Sequence, residues 1–242
     1  MPAWNVVERL QRQAYDCCWM ITQPSHAALA GEFAAKMSAA GLPNLGADLV
    51  RAIALHDAGW GIPDAQAIMQ SRSVSQDCPR SFIACNVREF LAAWGKSIDI
   101  AESTGAAGGY IVSRHFWRLA EHRIKHPDEN DADRNKLRRF VDNESKRQKV
   151  LATRQSHSAE ELELLADVLQ FCDLLSLYVC SGARENVEFP ECFGMKVRLT
   201  IENEGYRLDP AVIEPGTQFA VAALRHPAKK EVSGQEIGIA IL

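Results

Sequence analysis

The chain has 242 residues, enough to bury a sizeable core as one domain, or as one domain with a small appendage. It is 47% hydrophobic and 24% charged, the balance of a globular chain rather than a disordered one. A formal charge of -4 argues against a broad nucleic-acid footprint, and no apolar run approaches the roughly 20 residues of a membrane span.

The N-terminus, MPAWNVVERL, has no signal-peptide layout, so the expectation is a cytoplasmic chain. Seven cysteines then sit in a reducing compartment, and none forms a C-x-x-C pair. Cys17 and Cys18 are adjacent, while Cys172 and Cys180 lie on the apolar side of a helix. Most of them read as small buried hydrophobes.

Residues 4–21 carry no clear period, although the aromatic-rich run Tyr15 to Ile21 suits a short strand. A helix starts around Thr22 to Ser25, with Pro24 in a first turn, where proline is tolerated. His26, Ala30, Phe33 and Met37 line one face of it before Gly41-Leu42-Pro43 breaks the chain. Leu45 to Gly61 follows as a second amphipathic helix, with Leu45, Leu49, Ala52, Ile53 and His56 on one face. His56 then points where the leucines point. Asp57 falls in the helix's last turn, where the macrodipole is already negative. A core histidine beside a solvent-facing aspartate is one account of the pair; a cation at that helix end is the other.

Ile62 to Cys85, rich in Pro, Ser and Asp, reads as a long loop with one short helical piece, a wall or lid over a pocket carrying Trp60 and Phe82. Val87 to Trp94 is a short helix. Ser103 or Thr104 can cap a longer one reaching about Arg123, with Ile111, His115, Leu119 and His122 on one face. His122 is placed in solvent and His115 among apolar residues. Lys125 to Asp133 is a polar turn. From Asn135 to Thr153 a helical stripe holds Leu137, Phe140, Val141, Glu144, Gln148 and Leu151, and its two polar members need partners. The basic residues of that helix, Arg147 among them, form a solvated face or reach an anionic substrate.

Ser158-Ala-Glu-Glu161 is a capping box that starts another helix. Asp173 lies on its inward stripe, in LQFCDLLSLYVC. A carboxylate there must be protonated, hydrogen-bonded, paired or bound to a metal. Beyond Gly182, MKVRLTIEN, EGYRLDP and QFAVAALRHP read as antiparallel strands. The division expected is residues 1–184 as a helical domain and 185–242 as a small β-rich appendage packed on it.

Four helices thus each offer a polar side chain on a buried face: His26, His56-Asp57, His115 and Asp173. The pattern resembles the HD-domain superfamily of metal-dependent phosphohydrolases, whose signature is a histidine, a later His-Asp dipeptide and a distant aspartate. TQPSHAALA, HDAGW, SRH and QFCDLLSLYVC carry the resemblance, which spans Thr22 to Cys180 and also looks like an uncharacterised bacterial family near HD domains. It implies a mainly α, HD-like helical bundle with a small antiparallel β appendage. It also implies one or two divalent ions (Mn, Mg, Zn or Fe) held by His26, His56, Asp57 and Asp173.

On that reading His115, Glu144 and Asp57 serve catalysis, with His115 contacting substrate or completing the metal shell and Glu144 as base or orienter. Trp60, Gln148 and Arg147 would meet a small anionic substrate, Arg147 as a phosphate contact. Trp60 departs from signalling-type members, which often carry lysine just after HDxG. The expected chemistry is phosphoester hydrolysis. The alternatives are an HD-like di-iron oxygenase and a non-catalytic module that senses a ligand. Oligomeric state is open.

Overall fold

The computed structural model describes residues 18–38, 41–42, 45–74, 81–226 and 234–242. Most of the aperiodic N-terminal stretch, Cys17 included, lies outside them. The helices are α1 (Gln23–Ala35), α2 (Ala47–Ala54), α3 (Gly61–Val74), α4 (Val87–Glu102), α5 (Ala106–Ile124), α6 (Asp131–Ala152) and α7 (Ala159–Cys180). The strands are β1 (Cys18–Met20), β2 (Val187–Glu188), β3 (Arg198–Glu202), β4 (Gly205–Asp209), β5 (Thr217–His226) and β6 (Gly234–Ile241).

Local chemistry sets most helix starts. Thr22 caps α1 by accepting from the Ser25 amide at 3.1 Å, with Pro24 in the first turn. Asn86 and Glu89 form a capping box at α4, and Ser158 and Glu161 form the expected one at α7. Helix α4 is twice the expected length. Ser103 and Thr104 end it rather than start α5: their hydroxyls bond back to the carbonyls of Ile100 and Ala101. Gly105, at φ 139°, takes the N-cap position of α5 instead.

Two expectations are corrected. Residues 61–74 form a helix, not a loop, and Ile62 and Met69 on it face solvent, so no buried apolar period marks it in the sequence. The β part is larger than a small antiparallel appendage. It is one six-stranded sheet in the order β1-β5-β6-β4-β3-β2, with β4 and β6 parallel and β1 supplied from before the helices. These pairings are long-range, so no local pattern announces them.

Helix α7 is buried along most of its length and serves as the central post, with α1 and α5 packed on it. Helix α2 bridges α1 and α5, and α6 packs on α5 and α4. The sheet reaches the helices through Phe33 and Phe219, whose ring centroids are 4.8 Å apart, and through Phe171 and Phe189 at 5.4 Å. One hydrophobic core runs through both layers, from Leu29 and Ile111 to Leu199 and Ile239. No helix among the described residues is long and apolar enough to cross a membrane.

Candidate metal centre

Close helix approach brings the four signature residues together. A Cβ on Gly31 would lie 2.5 Å from that of Ala54, so glycine lets α1 and α2 touch there. His26 in the first turn of α1 thereby meets the segment after α2. That segment corrects one expectation: α2 ends at Ala54, and His56 and Asp57 lie in the turn beyond it. Asp57 precedes a 3-10 turn, Ala58–Trp60, so its charge lies just past the helix end instead of inside the last turn. The Ser97 hydroxyl accepts from the Gly59 amide at 2.9 Å and ties this turn to α4. A Cβ on Gly59 would collide with the Ala93 carbonyl. Trp60 anchors the far end, buried against Phe90 with ring centroids 5.3 Å apart and Phe82 at 6.4 Å. Its ring is thus committed to packing.

His26, His56, Asp57 and Asp173 each present one ligand atom, and these atoms lie within 4.8 Å of one another. All four residues are buried. His26 Nε2 is 2.9 Å from Asp57 Oδ2, and His56 Nε2 is 3.2 Å from Asp173 Oδ1 and 3.8 Å from Asp57 Oδ2. The other nitrogens of the two rings decide what these contacts mean. His56 Nδ1 is 2.8 Å from the Ile53 carbonyl oxygen, which only accepts, so Nδ1 carries the hydrogen. Ser176 gives its one hydrogen to the Asp173 carbonyl at 2.8 Å and so accepts from His26 Nδ1 at 3.0 Å. Each neutral imidazole therefore turns an Nε2 lone pair toward a carboxylate oxygen. Four Lewis bases converge with no hydrogen between them, and a cation satisfies all four at once. The cluster can hold a metal ion.

Without a metal, a proton does part of that work. Burial would push the His56 pKa down, but the hydrogen bond to Asp173, the charges of Asp57 and Asp173 and the Ile53 carbonyl lift it to about 9. Burial pushes Asp173 up, and the His56 hydrogen bond with the charges of His56, His115 and His26 outweighs it, holding the carboxyl at about 2. Among the described residues, every ion-pair partner of Asp57 and Asp173 is a histidine, with no arginine or lysine.

His115, also buried, is the fifth donor. Its Nε2 lies 3.6 Å from Asp173 Oδ2, and its Nδ1 has no hydrogen-bond partner among the described residues. Burial, opposed by Asp173 and reinforced by His56, drives its pKa to about 4, so the ring is neutral near pH 7. His122 is exposed, as expected.

Glu144, Gln148 and Arg147 stand elsewhere. Helix α6, which carries them, packs chiefly on α5 and α4. Ser113, two residues before His115 and so on the other side of α5, donates to Glu144 at 2.8 Å and accepts from Gln148 at 3.0 Å. Arg147 pairs with Asp99 at 2.7 Å and Glu144 at 3.2 Å. Burial raises the Glu144 pKa against the pull of Ser113 and Arg147. These three residues are joined through Ser113 and Asp99 in a network of their own. Trp117 likewise bonds Ser145, at 3.0 Å.

Ser176 and Asp64 were missed. Asp64 Oδ2 accepts from the Gln23 amide at 2.6 Å, at the start of α1. Ser176 lies one turn beyond Asp173 on the buried side of α7, but a serine there gives no sign of which histidine it serves. Nothing in the sequence signals Asp64. A cavity of about 170 Å³ lies where α7 and Arg118 of α5 meet the segment after β2, lined by Asp167, Gln170, Phe171, Glu191 and Cys192 among others. None of the four ligands lines it, and its lining carries acids of the same sign as the cluster.

A family described as "Protein of unknown function (DUF3891)" matches residues 10–219. The chain belongs to this family. The matched range holds the seven helices of the described residues and the four residues of the His/Asp cluster of this DUF3891 chain. Neither the curated proteins nor the solved structures give a match.

Proposed function

We propose that this DUF3891 chain binds a divalent cation through His26, His56, Asp57 and Asp173 and uses it to hydrolyse a phosphoester of a small anionic substrate. The observation that carries the metal is the pair of fixed Nδ1–H bonds, to Ser176 and to Ile53, which aim both Nε2 lone pairs at carboxylates. Two buried carboxylates whose ion-pair partners among the described residues are all histidines suit a cation of charge two, since several kcal/mol of desolvation per ion, by order of magnitude, must be offset. The phosphoester rests on the resemblance of His26, His56-Asp57 and Asp173 to the HD signature.

When bound, such an ion polarises a phosphoryl oxygen and lowers the pKa of a water from about 15.7 towards about 7. The protein's own part is positional. Ser176 and the Ile53 carbonyl fix the imidazoles, and Asp57 and Asp173 supply the anionic oxygens. His115, neutral beside Asp173, offers a further nitrogen to the ion or to the substrate.

The test is purified protein loaded separately with Mn2+, Mg2+, Zn2+ or Fe2+ and assayed for phosphate release from a panel of mono- and diesters. Turnover that disappears in the Asp173→Asn variant supports the proposal. Oxygen consumption with iron and no phosphate release would replace it with the oxygenase reading. A protein that takes up no metal would leave the ligand-sensing module.

A further inference from the structure

Gln23, the first residue of α1, is 7% exposed, yet its side-chain carboxamide makes no hydrogen bond among the described residues. Its backbone, by contrast, is fixed. Thr22 caps the helix before it, the ring of Pro24 follows it, and its amide donates to Asp64 Oδ2 at 2.6 Å. Burying a carboxamide without a partner costs stability, because its bonds to water are given up and nothing replaces them. A side chain held in that state calls for a partner that the chain itself does not supply.

Its place in the fold is beside the metal cluster. Gln23, His26, Ala27 and Ala30 form one buried stripe of α1, with Gln23 one turn before His26. Helical side chains lean toward the N-terminus, so the His26 ring lies back over the turn that carries Gln23. The Nε2 of that ring is 2.9 Å from Asp57 Oδ2. The segment after Asp57 closes on the same end of α1, where a Cβ on Gly61 would sit 3.9 Å from Pro24 Cγ. Of the four metal-binding residues Asp57 keeps the most exposure, 7% against 0–3% for the others, so the cluster meets solvent on the Asp57 side.

We propose that Gln23 is a substrate contact, its carboxamide donating from Nε2 to a phosphoryl oxygen of a molecule that approaches the ion on the Asp57 side. The proposal deepens the phosphoester reading and rests on it. The chemistry suits the place. A carboxamide N–H is a neutral donor, so it draws an anionic oxygen without repelling a divalent ion nearby, as a lysine or arginine would. Its backbone is already held by Thr22, Pro24 and Asp64, so little ordering is left to be done when the substrate arrives.

The experiment compares wild type, Gln23→Met and Gln23→Glu, which keep the length of the side chain and change only its end. The probe is inorganic phosphate, titrated by calorimetry into Mn2+-loaded protein, and Mn2+ affinity is measured separately by competition with a chelator. Gln23→Met should weaken phosphate binding about tenfold, the scale of one hydrogen bond to a charged group, with the Mn2+ Kd within about twofold of wild type. Gln23→Glu sets an anion against the phosphate oxygen and beside the ion. It should weaken phosphate more than Gln23→Met does, while Mn2+ binds as tightly as in wild type or tighter. Damage to the fold would weaken both. Phosphate binding that is absent in wild type, or equal in all three proteins, overturns the contact and leaves the metal reading standing. Mn2+ and phosphate lost together in both variants overturn it too, by making Gln23 a structural residue. Wild type that takes up no Mn2+ overturns the metal reading and this contact with it.

Discussion

Replacing Ser176 by alanine isolates the orientation of His26 from its identity as a ligand. Ser176 is fully buried, accepts from His26 Nδ1 at 3.0 Å and donates to the Asp173 carbonyl at 2.8 Å. Without it, a metal-bound His26 keeps its hydrogen on Nδ1 with no acceptor, at a cost of about 1–3 kcal/mol for an unsatisfied buried donor. The metal-free protein can escape that cost, because the hydrogen moves to Nε2 and bonds Asp57 Oδ2, 2.9 Å away. Alanine also recovers about 0.5 kcal/mol of helix propensity in the middle of α7. The loss therefore falls on metal affinity rather than on the fold. Ser176→Ala should weaken Mn2+ or Zn2+ binding about 10–100-fold, as removal of an outer-shell partner does, while the melting temperature in chelator changes little. Competition titration against a fluorescent chelator, with melting curves in chelator, measures both. An affinity within twofold of wild type would show that Ser176 does not hold the His26 tautomer and would refute the hydrogen assignment on which the metal reading stands.

Asp57→Asn should fold and lose most of its metal-induced gain in melting temperature, because stabilisation by an ion follows its affinity for the native state. Gly31→Ala should destabilise by about 1–3 kcal/mol through overpacking, since its Cβ would lie 2.5 Å from that of Ala54, and differential scanning calorimetry reads this directly. The pH dependence follows from His56, whose folded pKa, about 9, stands above its ordinary 6.5. Its contribution to metal-free stability is full below pH 6.5 and is lost as pH rises through 9, so the melting temperature in chelator should fall over that window while metal-loaded protein falls less. Arg147→Ala should leave metal affinity within about twofold and lower only stability, measured by the same titration, because Arg147 serves the Glu144 and Asp99 network behind α5.

What the sequence revealed depended on whether the cause was local. The Ser158–Glu161 box and the Thr22-Pro24 turn act within four residues, and both helix starts were legible. Asp173 was legible as an anomaly, a carboxylate on an apolar stripe. Glu144 and Gln148 gave the same signal, yet their partner is Ser113 on the next helix. A polar group on a buried face announces that it needs a partner, not which one. The placement of Asp57 was misread because α2 stops at Ala54, where Gly59 must fit against Ala93 on α4, a contact no local pattern carries. Helix α3 was hidden because Ile62 and Met69 face solvent, whereas β1 lies inside the aromatic-rich run from Tyr15 to Ile21 and only its pairing to β5, some two hundred residues on, was not legible.

The central claim is that a cation joins the two Nε2 lone pairs to the two carboxylates. Elemental analysis of protein purified without added metal or chelator, wild type beside Asp173→Asn, tests it most directly. The account predicts about one divalent ion per wild-type chain and a large loss in Asp173→Asn. Wild type without metal that also takes up none from Mn2+, Zn2+ or Fe2+ would contradict it.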